Sequence, residues 1–228
     1  MSWVKHFILS SPGRKLVMSL TGLFLILFLI VHLAGNLQLL MDDGGKAFNI
    51  YAYVMTHNPV IKLISYGLYF FILVHTVQGI LITIQNRRAR PRKYAVGHYP
   101  EASFVSKQMA LLGVLIFAFL CIHMFDFWYK MKFTDTLILQ QYAGFEHPVQ
   151  DLASCVESAY QYGWLVLIYI VGLIALAFHL WHGFESAFQT LGLTHKRYGF
   201  LFRLIGRGYS ILIPAAFAVI PLYVYFIN

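Results

Sequence analysis

Apolar residues run through this chain in long stretches separated by short polar clusters. Five stretches stand out, at roughly 15–40, 60–85, 108–130, 162–188 and 207–227. Each is close to the ~20 residues that a helix needs to cross a bilayer. In lipid only a helix or a closed barrel satisfies its own backbone polar groups. The alternating segments of about ten residues that mark a membrane barrel are absent. The pattern therefore predicts an all-α membrane protein, a five-transmembrane-helix bundle that takes up residues 1–228 as one domain.

Composition agrees. Hydrophobic residues make up 59% of the chain and charged residues 11%, under half of the usual quarter. Lys5, Arg14 and Lys15 precede the first apolar run as they would in a signal peptide. That run is too long for one, however, and no small-residue cleavage site follows it, so it reads as a span. Cys121 falls in the third span and Cys155 in a polar loop, so no disulfide framework is expected.

Charge sets the orientation. Residues 1–15 and the loops 86–107 and 189–207 share one side and carry thirteen of the seventeen Lys and Arg. The other side has Lys46, Lys62, Lys130 and Lys132, with seven of the nine acidic residues. Excess Lys and Arg marks the cytoplasmic side, so the N-terminus is expected inside and the C-terminus outside. The net charge of +8 thus sits mainly on one face. Topology and anionic membrane lipid account for it, and nucleic acid is not implied.

Histidines fall within four of the spans: His32, His75, His123, and His179 with His182. Ionisable groups at membrane depth are costly and mark functional sites, although any one of them also suits a hydrogen bond between helices. Depth sorts them. His32 follows Arg14 by 18 residues and His123 follows Lys107 by 16, roughly 25 Å at ~1.5 Å per residue. His75 precedes Arg87 by 12 residues and His179 precedes Gln189 by ten, about 15–18 Å on the same rise. An inner pair, His75 and His179, and an outer pair, His32 and His123, suit two haems with imidazole on both faces of each iron.

Small residues support this. His75 and Gly79 form H-x-x-x-G, and so do His179 and Gly183; positions i and i+4 share a helix face, where glycine leaves room for a flat macrocycle. Gly35 stands near His32 in the same sense. The spacing favours His179 over His182 as ligand, with His182 as ligand still open. Gln78 and His182, each three residues after an inner histidine, are assigned to the haem surround and its propionates.

Four segments carry a resemblance: "GRKLVMSLTGLFLILFLIVHLAGNLQLL", "LVHTVQGI", "CIHMFDFW" and "FHLWHGFESAFQTLG". Across nearly its whole length the chain resembles the dihaem cytochrome b membrane-anchor subunit of the succinate dehydrogenase and fumarate reductase family, of the type with a single five-helix anchor. The resemblance implies His32, His75, His123 and His179 as axial ligands of two haem b groups, with the first histidine of the fourth-span motif (Gly183 and Gly192 following it) as the ligand there. It implies cytoplasmic flavoprotein and iron–sulfur partners in a bacterial cytoplasmic membrane. It also implies electron exchange with a quinone, most often menaquinone, within a respiratory complex of the tricarboxylic acid cycle; dicarboxylate chemistry would lie on another chain. Some relatives have a glutamate two residues before the fourth-span ligand; here Ala177 stands there and a proton route through that position is not expected.

Quinone chemistry needs a proton-exchanging group near a haem edge. Asp126, one turn beyond His123, is the first candidate, and His57, before the second span, is the second. An interfacial acid bonded to Trp128 or Lys130 and a plain loop histidine are the competing readings. Two other functions remain open: a dihaem anchor of a hydrogenase or formate dehydrogenase, and a haem-free transporter using the histidines as a proton relay. The outer segment 131–161 is long for a connection and is expected to hold a short helix or a lid.

Overall fold

The computed structural model describes residues 6–7, 10–88, 104–195 and 197–227. The basic positions Lys5, Arg90, Arg92, Lys93 and Lys196, together with His98 and Glu101, lie outside the described residues. Helix α1 covers Ser11–Asn36 and runs into a 3-10 turn at Leu37–Leu40; α2 is Lys46–His57, and α3 is Pro59–Arg88. Helix α4, Phe104–His123, passes through a π-helical turn at Met124–Tyr129 into the short α5, Lys130–Phe133. Two short strands follow, β1 at Leu139–Gln140 and β2 at Val149–Gln150, then α6 (Leu152–Tyr160), α7 (Gly163–Thr190) and α8 (Gly199–Ile227).

Five of these helices are long and apolar enough to cross a membrane: Ser11–Leu40, Pro59–Arg88, Lys107–Phe133, Gly163–Thr190 and Gly199–Ile227. The all-α membrane bundle expected from the hydrophobic pattern is therefore the fold. The fifth helix differs from expectation at its start. It begins at Gly199, so Arg203 and Arg207 are helical residues and the connection from α7 is short. The Arg207 guanidinium lies 5.2 Å from the Trp181 ring centre.

Local chemistry explains the ends. Ser10 caps α1, its hydroxyl accepting from the Gly13 amide at 3.2 Å, with Pro12 in the first turn, where a missing N–H costs nothing. Helix α7 stops at Gly192, whose φ of 73° is left-handed. The Gly192 amide donates to the Gln189 carbonyl and the Leu193 amide to the Phe188 carbonyl, the Schellman closure that glycine makes cheap. The second glycine of the fourth-span motif is thus a helix stop.

Helix α7 packs against α1, α4 and α8, and α1 also meets α3. About 39% of the apolar window of α7 is enclosed, against 6% for α3 and 0% for the α4 span, so α7 is the central rod while α3 and α4 present their outer faces to lipid. The outer segment holds a helix, as expected, and also the antiparallel β1–β2 pair.

A second, unexpected helix, α2, joins this cap. Asn49, 1% exposed, fastens it: its amide donates to Tyr142 Oη at 2.8 Å and Asp151 Oδ1 at 2.9 Å, and its carbonyl accepts from the Ala153 amide at 2.8 Å. Asp151 also caps α6 through the Ser154 amide at 3.1 Å. Burial alone would raise the Asp151 carboxyl, but hydrogen bonds from Ser154, Asn49 and Gln140 outweigh it and hold the group below its ordinary value. Cys121 and Cys155 are both free thiols.

Candidate functional site

The histidines meet in the pairs that their depths predict. The ring centres of His75 on α3 and His179 on α7 are 6.2 Å apart, with planes at 67°. Those of His32 on α1 and His123 on α4 are 5.8 Å apart, with planes at 84°. Four helices thus each contribute one ring. Helix α1 measures the gap between the levels: Gly22 lies against His75, and His32 follows ten residues later, about 15 Å along the axis. Helix α7 gives the same figure, since Tyr169 contacts His123 and precedes His179 by ten residues.

With ring nitrogens facing each other along the line of centres, these separations can be compared with two chemistries. A ring nitrogen lies about 1.1 Å from its ring centre, and a histidine–metal bond is ~2.0–2.1 Å, so two rings gripping one metal from opposite sides have centres about 6.2–6.4 Å apart. A direct ring-to-ring hydrogen bond of ~2.9 Å would draw the centres to about 5.1 Å. The His75–His179 pair matches the metal-bridging figure, and the His32–His123 pair is closer to it than to the hydrogen bond. Among the described residues neither pair is joined by a ring-to-ring hydrogen bond, and Nδ1 of both His123 and His179 is buried with no partner. Two ligands complete only a metal that brings its others with it, as a haem iron does. The residues fit that group.

The glycines divide. A Cβ at Gly183 would meet nothing within 4 Å, and one at Gly79 only Met18 Cε at 3.5 Å. Protein packing therefore does not demand glycine at either position, which leaves the room for a macrocycle that the H-x-x-x-G spacing suggested. Gly35 is different: its missing Cβ is the place of the Tyr51 ring, so it joins α1 to α2 and does not serve the outer pair.

Surroundings differ between the levels. Phe28, Phe217, Phe119, Phe127 and Tyr169 place their rings 5.1–6.0 Å from His32 or His123. Asn36 Nδ2 turns back on its own helix, 2.7 Å from the His32 carbonyl and 3.3 Å from His32 Nδ1. Around His75 the polar neighbour is Thr21, with Oγ1 3.1 Å from Nδ1. Gln78 Oε1 is buried and unpartnered, so a carboxylate would meet this side chain through its amide nitrogen. His182 is half-buried, one turn from His179.

The proton-exchange candidates part company. Asp126 sits in the π-helical turn that follows His123, a feature frequent at functional sites. Its Oδ2 and the hydroxyl of the neighbouring Tyr169 are buried side by side, and among the described residues neither has another hydrogen-bond partner. The Cys155 thiol contacts the Asp126 backbone carbonyl at 3.8 Å. His57 ends α2, where Nδ1 lies 2.8 Å from the Tyr53 carbonyl. Its ring stacks on Tyr53 at 3.9 Å, and Tyr53 in turn contacts Phe145 and His147. His57 is thus a helix-terminal residue of the cap, and its contacts do not join it to Asp126.

Thr21, Gly22 and Tyr169 belong to the two levels without being legible in the sequence. A threonine or tyrosine inside an apolar run carries no spacing signal; only the demand of a buried hydroxyl for a partner points to it. Compared with known proteins, the chain matches no family model, no curated sequence and no solved structure.

Proposed function

We propose that this chain is the dihaem cytochrome b anchor of a succinate dehydrogenase or fumarate reductase in a bacterial cytoplasmic membrane. The observation that carries the reading is the pair of two-imidazole sets, 6.2 Å and 5.8 Å between ring centres, at two levels of a five-helix bundle. His75 with His179 would hold one haem b and His32 with His123 the other. When bound, the two haems supply one-electron transfer through the bilayer, between a cytoplasmic iron–sulfur partner and a quinone such as menaquinone.

The chain's own work is positional and electrostatic. Four helices fix the imidazoles, so little reorganises when charge moves. The aromatic shell of Phe28, Phe119, Phe127 and Phe217 keeps water from the outer pair and lowers the local dielectric. Gly79 and Gly183 leave space beside the inner ligands. Asp126, with its Oδ2 buried beside the Tyr169 hydroxyl, holds the proton that quinone chemistry exchanges. Thirteen Lys and Arg on one side orient that side to the cytoplasm and to the soluble subunits.

Purification from gently solubilised membranes tests this. Co-purifying flavoprotein and iron–sulfur subunits and a b-type spectrum reducible by succinate are expected. A pigment-free preparation, or one accompanied by hydrogenase or formate dehydrogenase subunits, overturns it.

A further inference from the structure

We infer that Thr21 is a positioning residue for the inner haem, accepting the Nδ1 proton of His75 so that the Nε2 lone pair faces His179. The inference rests on the haem reading above and adds to it a residue outside the ligand set.

The argument is a count of protons. The Thr21 hydroxyl has one hydrogen and lies 2.8 Å from the Val17 carbonyl and 3.1 Å from the Met18 carbonyl. Both are acceptors only, so that hydrogen is committed to the helix backbone. What Oγ1 can offer His75 Nδ1, at 3.1 Å, is a lone pair. The ring must then carry its proton on Nδ1. A neutral imidazole protonated on Nδ1 has its lone pair on Nε2, the form that ligates a metal.

The site is built for close approach. Thr21 is 4% exposed, and a Cβ on the adjacent Gly22 would stand 3.3 Å from His75 Cε1, so glycine lets the ring lie against α1. Among the described residues the outer pair has no such acceptor. Beside His32 Nδ1 stands the side-chain amide of Asn36, which is already bonded to the His32 carbonyl.

An acceptor on the far nitrogen raises the basicity of the ligand, and loss of such a partner changes metal affinity about 10–100-fold. A more basic imidazole favours ferric over ferrous iron. Removing the Thr21 hydroxyl therefore raises the midpoint potential of one of the two b components. At the lower end of that range, a tenfold difference between the two oxidation states is ~59 mV for one electron.

The test uses the full chain in its membranes, with haem content and a spectroelectrochemical redox titration as readouts. In Thr21→Val two haems per chain are retained, one midpoint rises by about this amount and the other stays. In Thr21→Ser both midpoints equal those of the unmodified chain, because the hydroxyl is restored. Unmoved midpoints in Thr21→Val, a shift of both components, or an equal shift in Thr21→Ser overturns the assignment. If Thr21→Val fails to accumulate, Thr21→Ala carries the same expectation and the same refutation. Absence of haem from the unmodified chain refutes the proposed function instead, and the role of Thr21 falls with it.

Discussion

Replacing Gly183 by leucine sets polypeptide packing against cofactor space. Apart from its own turn of helix, nothing lies within 4 Å of the position a Cβ would take there, and the residue is inside the long helix α7. For the polypeptide alone the change is favourable, since leucine is better than glycine in a helix interior by roughly 0.6–0.8 kcal/mol. For a macrocycle lying against this face it is a large intrusion, and overpacking costs about 1–3 kcal/mol. At 1.4 kcal/mol per tenfold, inner-haem affinity falls about 5- to 150-fold. The assay is transfer of haem to excess apomyoglobin, followed by absorbance, with the thermal midpoint of the chain measured in parallel. The expected result is faster loss of one haem, retention of the other, and an unchanged or raised stability of the bundle. Normal retention of both haems would refute the placement of a cofactor beside Gly183.

Three further outcomes follow from named contacts. His179→Ala removes one haem per chain while His182→Ala retains both, measured as the pyridine haemochrome; the reverse would transfer the ligand role to His182. Asp126→Asn keeps both haems, lowers quinone turnover and flattens its pH profile, because the amide cannot hold the exchanged proton; an unchanged profile removes Asp126 from the quinone site. The Asp151 carboxyl lies below its ordinary value in the fold, so its hydrogen-bonded charge stabilises the cap above the unfolded value and is lost as pH falls below about 4. Thermal midpoints of the unmodified chain should fall more steeply below that pH than those of Asp151→Asn, and equal slopes would refute the role of this carboxylate.

Much of the bundle was legible because its cause is local. Apolar runs long enough to span lipid leave the chain only one secondary structure. The histidine pairing was legible for a related reason: helical rise converts residue counts into depth, so His32 and His123 fall to one level and His75 and His179 to another. What escaped depends on contacts distant in sequence. Helix α2 is amphipathic over a short polar stretch and is held by Asn49 reaching across to Asp151 and Ala153. The π-helical turn at Met124–Tyr129 has no composition of its own. Gly35 and Gly183 look alike in sequence, each within one turn of a histidine, and only the packing separates them: one fills with Tyr51, the other faces open space.

The most direct test of the central claim is the haem-to-polypeptide ratio of the purified chain, measured with the four single variants His32→Ala, His75→Ala, His123→Ala and His179→Ala beside it. Two haems per chain, falling to one in each variant with the same component lost from both members of a pair, is the predicted result. A ratio of zero or one in the unmodified chain, or losses that cross the pairs, contradicts the account.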